Sequence, residues 1–134
     1  MYKLSLILLA LLLLVQGSSA EKRTDACKTP DIAPTYVTIH GRLQYGNGTR
    51  ALRLWHVGTN HKFGIYSGLY AKERDPLDSE HPQLPGELQK LFDGPDLYEP
   101  IIFADFQVCP LEPYIAGHMQ AACIESATHI TAKR

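Results

Sequence analysis

The order of elements in this sequence predicts a mainly β fold, a small five-stranded OB-like Greek-key barrel with one short helix between strands 3 and 4. Three strand-like segments follow one another closely, a proline-rich connection comes next, and two further strand-like segments complete the chain. A glycine interrupts the first strand, as at the corners of small barrels. A small β-sandwich and an open sheet packed on one helix are the alternatives.

Residues 35–59 contain the clearest strand pattern. Apolar side chains fall at every second position with polar side chains between them, which is the period of a strand with one buried face. The apolar positions are Val37, Ile39, Leu43 and Tyr45. Gly41 interrupts this face and predicts a bulge, a bend or a close approach of another backbone. Residues 46–49 can form a turn, and further strands are predicted over residues 51–57 and 62–66.

Residues 67–100 form the connection between the third and fourth strands. Five prolines exclude a central strand over nearly its whole length. Residues 85–92 begin with a proline, have a glutamate in the first turn and carry apolar residues at helical spacing, so they predict a short amphipathic helix. Residues 69–83 are expected to be a long loop.

The last two strands are predicted over residues 101–109 and 119–131, with a turn at residues 110–117. The fourth strand is apolar on both faces, which favours a central position in the sheet. The predicted domain therefore spans residues 35–134.

The first twenty residues have the pattern of a secretory signal peptide. Lys3 supplies a basic start, residues 4–15 form an apolar run, and small residues occupy positions 18–20. As a helix this run would extend about 18 Å, less than the roughly 30 Å of a hydrocarbon core, so no permanent membrane anchor is expected. We expect the protein to be exported, periplasmic or secreted, with residues 21–34 as a polar lead-in segment.

The charge balance argues against nucleic acid as a partner. The chain has 13 Lys and Arg and 14 Asp and Glu, so its formal charge is 13 − 14 = −1, and loss of Lys3 with the signal peptide gives 12 − 14 = −2. Neutralising phosphates supplies most of the affinity of nucleic-acid binders, which therefore usually show a basic excess.

In an exported protein, three cysteines predict one disulfide and one remaining thiol. Cys109 and Cys123 are the predicted pair, because each lies in or beside a predicted strand and the turn between them would place those strands side by side. Closing this loop would stabilise the fold by about 3 kcal/mol in the chain-entropy model. Cys27 is then expected to be free, with an intermolecular or alternative disulfide as the other interpretation.

Side chains on the exposed side of the first three strands are the candidate ligand-binding residues. They are Arg42, Arg53, His40 and His56. OB-folds bind bases or sugars on aromatic platforms at such a face. Trp55 is nevertheless predicted to lie in the core, where its indole N–H would need an acceptor. Residues 69–83 would form the rim of the face.

No catalytic residue, metal site or cofactor is predicted. The six histidines invite a metal-site interpretation, but their spacings match no metal motif. Ser126, His129 and Asp105 are the side-chain types of a nucleophilic triad, but no family signature surrounds them.

The chain resembles a group of small exported bacterial proteins with no assigned activity. The similar segments are GRL at residues 41–43, RLWHVGT at 53–59, DFQVCP at 105–110, and residues 119–126. The resemblance covers most of the domain apart from residues 67–100. It implies export, an all-β core and a relationship between Cys109 and Cys123, and it implies no activity.

These observations predict an exported, monomeric, non-catalytic binding or envelope-interaction module with an unidentified envelope or extracellular ligand. One alternative is a secreted inhibitor of an envelope-directed hydrolase, which would present the loop at residues 110–117. The other is a metal-binding protein or small hydrolase that uses the histidines.

Overall fold

The computed structural model of the protein describes Cys27 and residues 35–134. The predicted signal peptide, residues 1–20, lies outside the described residues, as does all of the lead-in segment 21–34 except Cys27. Among the described residues, no helix is both long enough and apolar enough to cross a membrane.

Five strands form a closed barrel. They are β1 (Val37–Tyr45), β2 (Leu52–His56), β3 (Lys62–Ile65), β4 (Ile101–Pro110) and β5 (Gln120–Lys133). The order around the barrel is β1-β2-β3-β5-β4, and β4 pairs with β1 to close it. Neighbouring strands are antiparallel except β3 and β5, which are parallel. The predicted five-stranded OB-like barrel is confirmed.

The connection between β3 and β4 contains more regular structure than predicted. The short helix predicted at residues 85–92 is present as α2 (Gly86–Gln89) followed by a 3₁₀ turn (Lys90–Phe92). The expectation of a long loop over residues 69–83 is wrong, because this segment holds α1 (Ala71–Arg74) and a 3₁₀ turn (Asp78–Glu80). Single turns of this kind are fixed by local hydrogen bonds and show no apolar period. Here the Asp78 carboxylate accepts bonds of 2.7 Å from both N–H and Oγ of Ser67.

Side chains from alternate strand positions fill the barrel interior. Ile39, Leu43 and Tyr45 of β1 are buried as the pattern predicted, whereas Val37 at the start of the strand is 44% exposed. Phe92 from the connection belongs to the same buried cluster, and its ring meets the Tyr45 ring edge-on at a centroid distance of 5.2 Å. The helical connection is therefore part of the core.

Gly41 leaves room for two side chains of the interior. A Cβ atom at this position would lie 2.6 Å from Leu54 Cδ1 and 3.0 Å from Phe106 Cδ2. Leu54 and Phe106 are both fully buried, so the packed interior requires a glycine here. Of the features that a strand glycine predicted, the structure shows a close approach, made by side chains rather than by another backbone.

Strand β5 bulges relative to β4 near its end. Phe103 pairs with Thr131. Two residues further along β4, Asp105 pairs with Thr128, which is three residues back along β5. The additional residue on β5 makes a β-bulge, a feature that re-aims side chains. His129, inside the bulge, has a φ of 53°, in the left-handed region that few residues other than glycine adopt.

The disulfide joins Cys27 to Cys123, so the predicted Cys109–Cys123 pairing and the expectation that Cys27 is free are both wrong. The Cα atoms of Cys27 and Cys123 are 5.8 Å apart. A link across 96 residues stabilises the fold by about 4–5 kcal/mol in the chain-entropy model. Cys109 is a buried free thiol, and burial raises its pKa.

The strand register explains this pairing. Cys109 and Cys123 do lie opposite each other on β4 and β5. Leu111 N–H donates to the Ala121 carbonyl at 2.9 Å, and hydrogen-bonded pairs recur at every second residue of an antiparallel ladder, so the two cysteines form such a pair too. The Cβ atoms of such pairs are about 5.5 Å apart, more than the roughly 4.5 Å that a disulfide spans. Cys27 comes from outside the ladder, so this spacing does not apply to it.

Replacing Gly41 by alanine is expected to lower the free energy of unfolding by about 1–3 kcal/mol, because the added methyl group would displace Leu54 and Phe106. Gly86→Ala is the matched control, since no atom lies within 4 Å of the Cβ it would add. Urea unfolding of both variants measures the difference. Equal stability of the two variants would contradict the packing described for Gly41.

Candidate ligand-binding face

A row of aromatic and cationic side chains crosses the outside of the barrel. Its members are successive cross-strand partners: Phe103 on β4, Arg42 on β1, Trp55 on β2 and Lys62 on β3. On each strand a residue beside them in sequence occupies the core, namely Leu43, Leu54, Phe63 and Ile102. Alternate residues of a strand face opposite sides, so these four side chains lie outside. We call Phe103, Arg42, Trp55 and Lys62 the outer row.

Arg42 and Trp55 form the centre of the outer row. The guanidinium carbon of Arg42 lies 4.9 Å from the centroid of the Trp55 ring, within the range of cation–π attraction. The indole N–H donates to the Thr59 carbonyl at 2.7 Å. The prediction that Trp55 lies in the core is wrong, because Leu54 has the inward position on β2 and Trp55 the outward one.

Two adjoining depressions flank Trp55. The smaller holds about 140 Å³ and extends along β1 and β2 towards Gly46, with Arg53 in its wall. The larger holds about 430 Å³ and extends towards Thr59 and Asn60. Arg42, Trp55 and Lys62 line both. In the part of the chain that the structure describes, no aspartate or glutamate lines either depression.

Arg53 is held across the turn between β1 and β2. Its Nε donates to the Arg50 carbonyl at 3.1 Å, and its Nη2 donates to the Asn47 carbonyl. A Cβ atom on Gly46 would lie 2.9 Å from the Arg53 guanidinium, so the glycine allows the guanidinium to lie against the turn. These contacts fix the cation at the edge of the smaller depression.

Beside the outer row, one carboxylate joins two imidazoles. Asp105 Oδ1 is 3.1 Å from His40 Nδ1, and Asp105 Oδ2 is 2.9 Å from His129 Nδ1. We call His40, Asp105 and His129 the His–Asp–His cluster. The hydrogen bond with His40, and then that with His129, hold the pKa of Asp105 below its ordinary value.

The structure brings three of the four predicted binding residues to one face. Arg42 and Arg53 line the depressions, and His40 lies next to Arg42 on the outer side of β1. His56 is half-buried, lies on the same inward-facing side of β2 as Leu54, and lines neither depression. The expected rim, residues 69–83, contributes no side chain to the lining of either one.

Three contributors to this face were missed by the sequence analysis: Phe103, Lys62 and the Asp105–His129 contact. Each depends on which residues pair across strands. The β4–β1 and β4–β5 registers join segments that are distant in sequence, so a local pattern does not reveal these pairings. The only available signal was that Phe103, Asp105, Arg42 and Trp55 each alternate with apolar residues on their own strands.

A second polar centre braces the loop between β4 and β5, residues 111–119. Glu112 accepts hydrogen bonds from Ala121 N–H at 2.8 Å, Lys72 at 2.9 Å and Arg50 at 3.2 Å. Burial disfavours the charged carboxylate, but these donors outweigh burial and lower the pKa of Glu112. Glu112 thus ties α1 and the β1–β2 turn to this loop.

The cavity beside Glu112 differs from the depressions around Trp55. It holds about 460 Å³, and both Arg50 and Glu112 line it, so its charges are already paired. Tyr114 in the same loop stacks on His61 at a centroid distance of 4.1 Å. Ile115 is 62% exposed. This loop is held by contacts with α1, the β1–β2 turn and His61, and Arg50 and Glu112 balance each other in the described lining of the cavity.

Within the described residues, no group of three or more His, Cys, Asp and Glu side chains could hold a metal ion. His61, for example, lies against Phe63 and Tyr114 and is 2.7 Å from Gln120 Oε1. The Ser126 hydroxyl donates to Gln107 Oε1 at 3.5 Å, whereas the Asp105 carboxylate contacts His40 and His129.

Comparison of the chain with protein-family models, with curated proteins and with solved structures found no match. The resemblance to small exported bacterial proteins therefore stays a prediction.

Glu112→Gln is expected to lower the free energy of unfolding by about 1 kcal/mol at neutral pH, because it removes the charge that Arg50 and Lys72 face. The folded-state pKa of Glu112 is lowered, so its contribution is present above 4.5, the ordinary value, and is lost as the pH falls through the lowered value. Urea unfolding at a series of pH values measures both proteins. A difference that persists undiminished at the lowest pH would contradict this role.

Proposed function

We propose that the protein is an exported, non-catalytic binding module that holds an anionic saccharide chain against the outer row and its two depressions. One observation carries this proposal. Three cations, Arg42, Arg53 and Lys62, surround Trp55 in two adjoining depressions, and no carboxylate among the described residues lines them.

The charges of the face favour an anionic ligand. Arg42 and Lys62 line both depressions, so a ligand lying across Trp55 would meet a cation on each side of the ring. Guanidinium groups bind carboxylates and sulfates through paired N–H donors, and the Arg53 guanidinium is already fixed by its backbone contacts. Little further ordering of the Arg53 side chain would be required on binding, which favours affinity.

The aromatic lining of the depressions favours a sugar over a nucleic acid. Proteins that bind single-stranded nucleic acids stack successive bases on several aromatic side chains along a basic groove. Among the described residues, Trp55 is the one aromatic side chain that lines both depressions. Tyr45 lines only the smaller one and is buried, and Phe103 lines neither. The chain also has no basic excess.

The disulfide supports the exported part of the proposal. Disulfides form and persist mainly in oxidising compartments, and the Cys27–Cys123 link is compatible with such a compartment. Its first cysteine lies only a few residues beyond the predicted end of the signal peptide at residue 20.

The proposal is tested by calorimetric titration with a sulfated octasaccharide and with a neutral octasaccharide of similar length. We expect saturable binding of the sulfated chain only. Arg42→Gln and Lys62→Gln should each weaken this binding about three- to tenfold, because each removes one cation from both depressions.

Lys90→Gln is the matched control, because it makes the same change in net charge at an exposed site in the connection between β3 and β4. It should leave the affinity nearly unchanged. Equal losses from Lys90→Gln and Arg42→Gln would show attraction by net charge rather than by this face. Preferential binding of a thymidine oligonucleotide would contradict the choice of ligand.

A further inference from the structure

The His–Asp–His cluster lies against the proposed ligand site. His40 is two residues from Arg42 on the outer side of β1, and Asp105 is two residues from Phe103 on the outer side of β4. Two residues of a strand span about 7 Å, which is less than the Debye length of about 10 Å at 0.1 M salt. A charge on the cluster therefore acts on a ligand bound at the outer row.

The cluster is accessible to solvent. The side chains of His40 and His129 are 61% and 84% exposed, and that of Asp105 is 36% exposed. Protons can therefore reach both imidazoles without a change of fold.

The β-bulge gives this cluster its second histidine. His129 has the left-handed backbone conformation that residues other than glycine seldom adopt, and this conformation accompanies the contact of its ring with Asp105. Strained residues persist where the surrounding structure holds them, and they concentrate at functional sites.

Protonation reverses the charge of the cluster. The carboxylate can only accept hydrogen bonds, so each Nδ1 donates its proton to Asp105 and each Nε2 is the atom that takes up a further proton. With both imidazoles neutral the net charge is −1, and with both protonated it is −1 + 2 = +1. Histidine side chains ordinarily change charge between about pH 5 and 8.

No other group on the strands opposes this change. The remaining charged side chains of the five strands are the cations Arg42, Arg53, Lys62 and Lys133, the acid Glu125, and His56. Glu125 lies four residues before His129 and close enough to Cys109 to raise its pKa. His56 lies on the inward-facing side of β2. Asp105 is therefore the one acidic side chain beside the outer row among the described strand residues.

We propose that the His–Asp–His cluster is an acid-responsive extension of the ligand-binding face, and that protonation of His40 and His129 tightens binding of the anionic saccharide. This inference rests on the proposed function, and it adds the regulation of that site. At neutral pH the cluster repels the ligand and offsets part of the attraction of Arg42. In acid it attracts the ligand and extends the cationic surface across β1, β4 and β5.

The lowered pKa of Asp105 supports this behaviour. Because the carboxylate accepts hydrogen bonds from His40 and from His129, it stays ionised to lower pH than an ordinary aspartate. The two imidazoles therefore keep their common partner over the range in which histidines take up protons, and the cluster stays assembled.

The experiment measures the dissociation constant of the sulfated octasaccharide at pH 7.5 and at pH 5.5. Sulfate groups keep their charge over this range, so a change reports on the protein. Wild-type protein should bind about three- to tenfold more tightly at pH 5.5. The double variant His40→Gln/His129→Gln should lose most of this difference. Asp105→Asn should bind more tightly than wild type at pH 7.5, because it removes the cluster's negative charge.

His81→Gln/His118→Gln is the matched control, since both residues are exposed histidines outside the face. It should keep the full pH effect. If this control loses the effect, or if His40→Gln/His129→Gln retains it, the inference is overturned while the proposed function stands. If wild-type protein binds the octasaccharide at neither pH, the proposed function fails and the inference fails with it.

Discussion

The filled interior of the barrel is the constraint on which the rest of this structure depends. Leu54 and Phe106 approach Gly41 so closely that not even a methyl group fits between them. Strand alternation then sends the other side chains of β1, including His40 and Arg42, to the outside. In the part of the chain that the structure describes, these buried side chains fill the barrel, and the proposed ligand site lies on its outer surface.

Two devices hold the ends of strands in the positions that this surface needs. The Cys27–Cys123 disulfide fixes the chain before β1 to β5, and Glu112 ties the β1–β2 turn and α1 to the loop before β5. Their effect on the face is indirect. The strand registers that set Arg42 between Phe103 and Trp55 come from the β1–β2 and β1–β4 pairing itself.

The spacing of apolar side chains and the positions of glycine and proline were enough to predict the strands, the helix at residues 85–92 and the barrel. These features depend on patterns that are local in sequence. The sequence placed Arg42 and Arg53 on a common face for the same reason. It failed for Trp55, since an aromatic residue on the same side of a strand as Arg53 fits either face of a sheet until the partner strand is known. It failed for Cys27, since the choice of Cys123 between Cys27 and Cys109 as its disulfide partner depends on the distance between paired residues of β4 and β5. The contact between His129 and Asp105 depends on a bulge, which no local pattern marks.

The proposed site places an anionic saccharide against Trp55, the only tryptophan of the chain. Its indole N–H, which donates to the Thr59 carbonyl, therefore gives a single assigned signal in a ¹⁵N–¹H correlation spectrum. On titration with the sulfated octasaccharide, this signal and the amides of Arg42 and Lys62 should shift together and saturate. Shifts confined to the loop at residues 111–119, with the indole signal unmoved, would contradict the account.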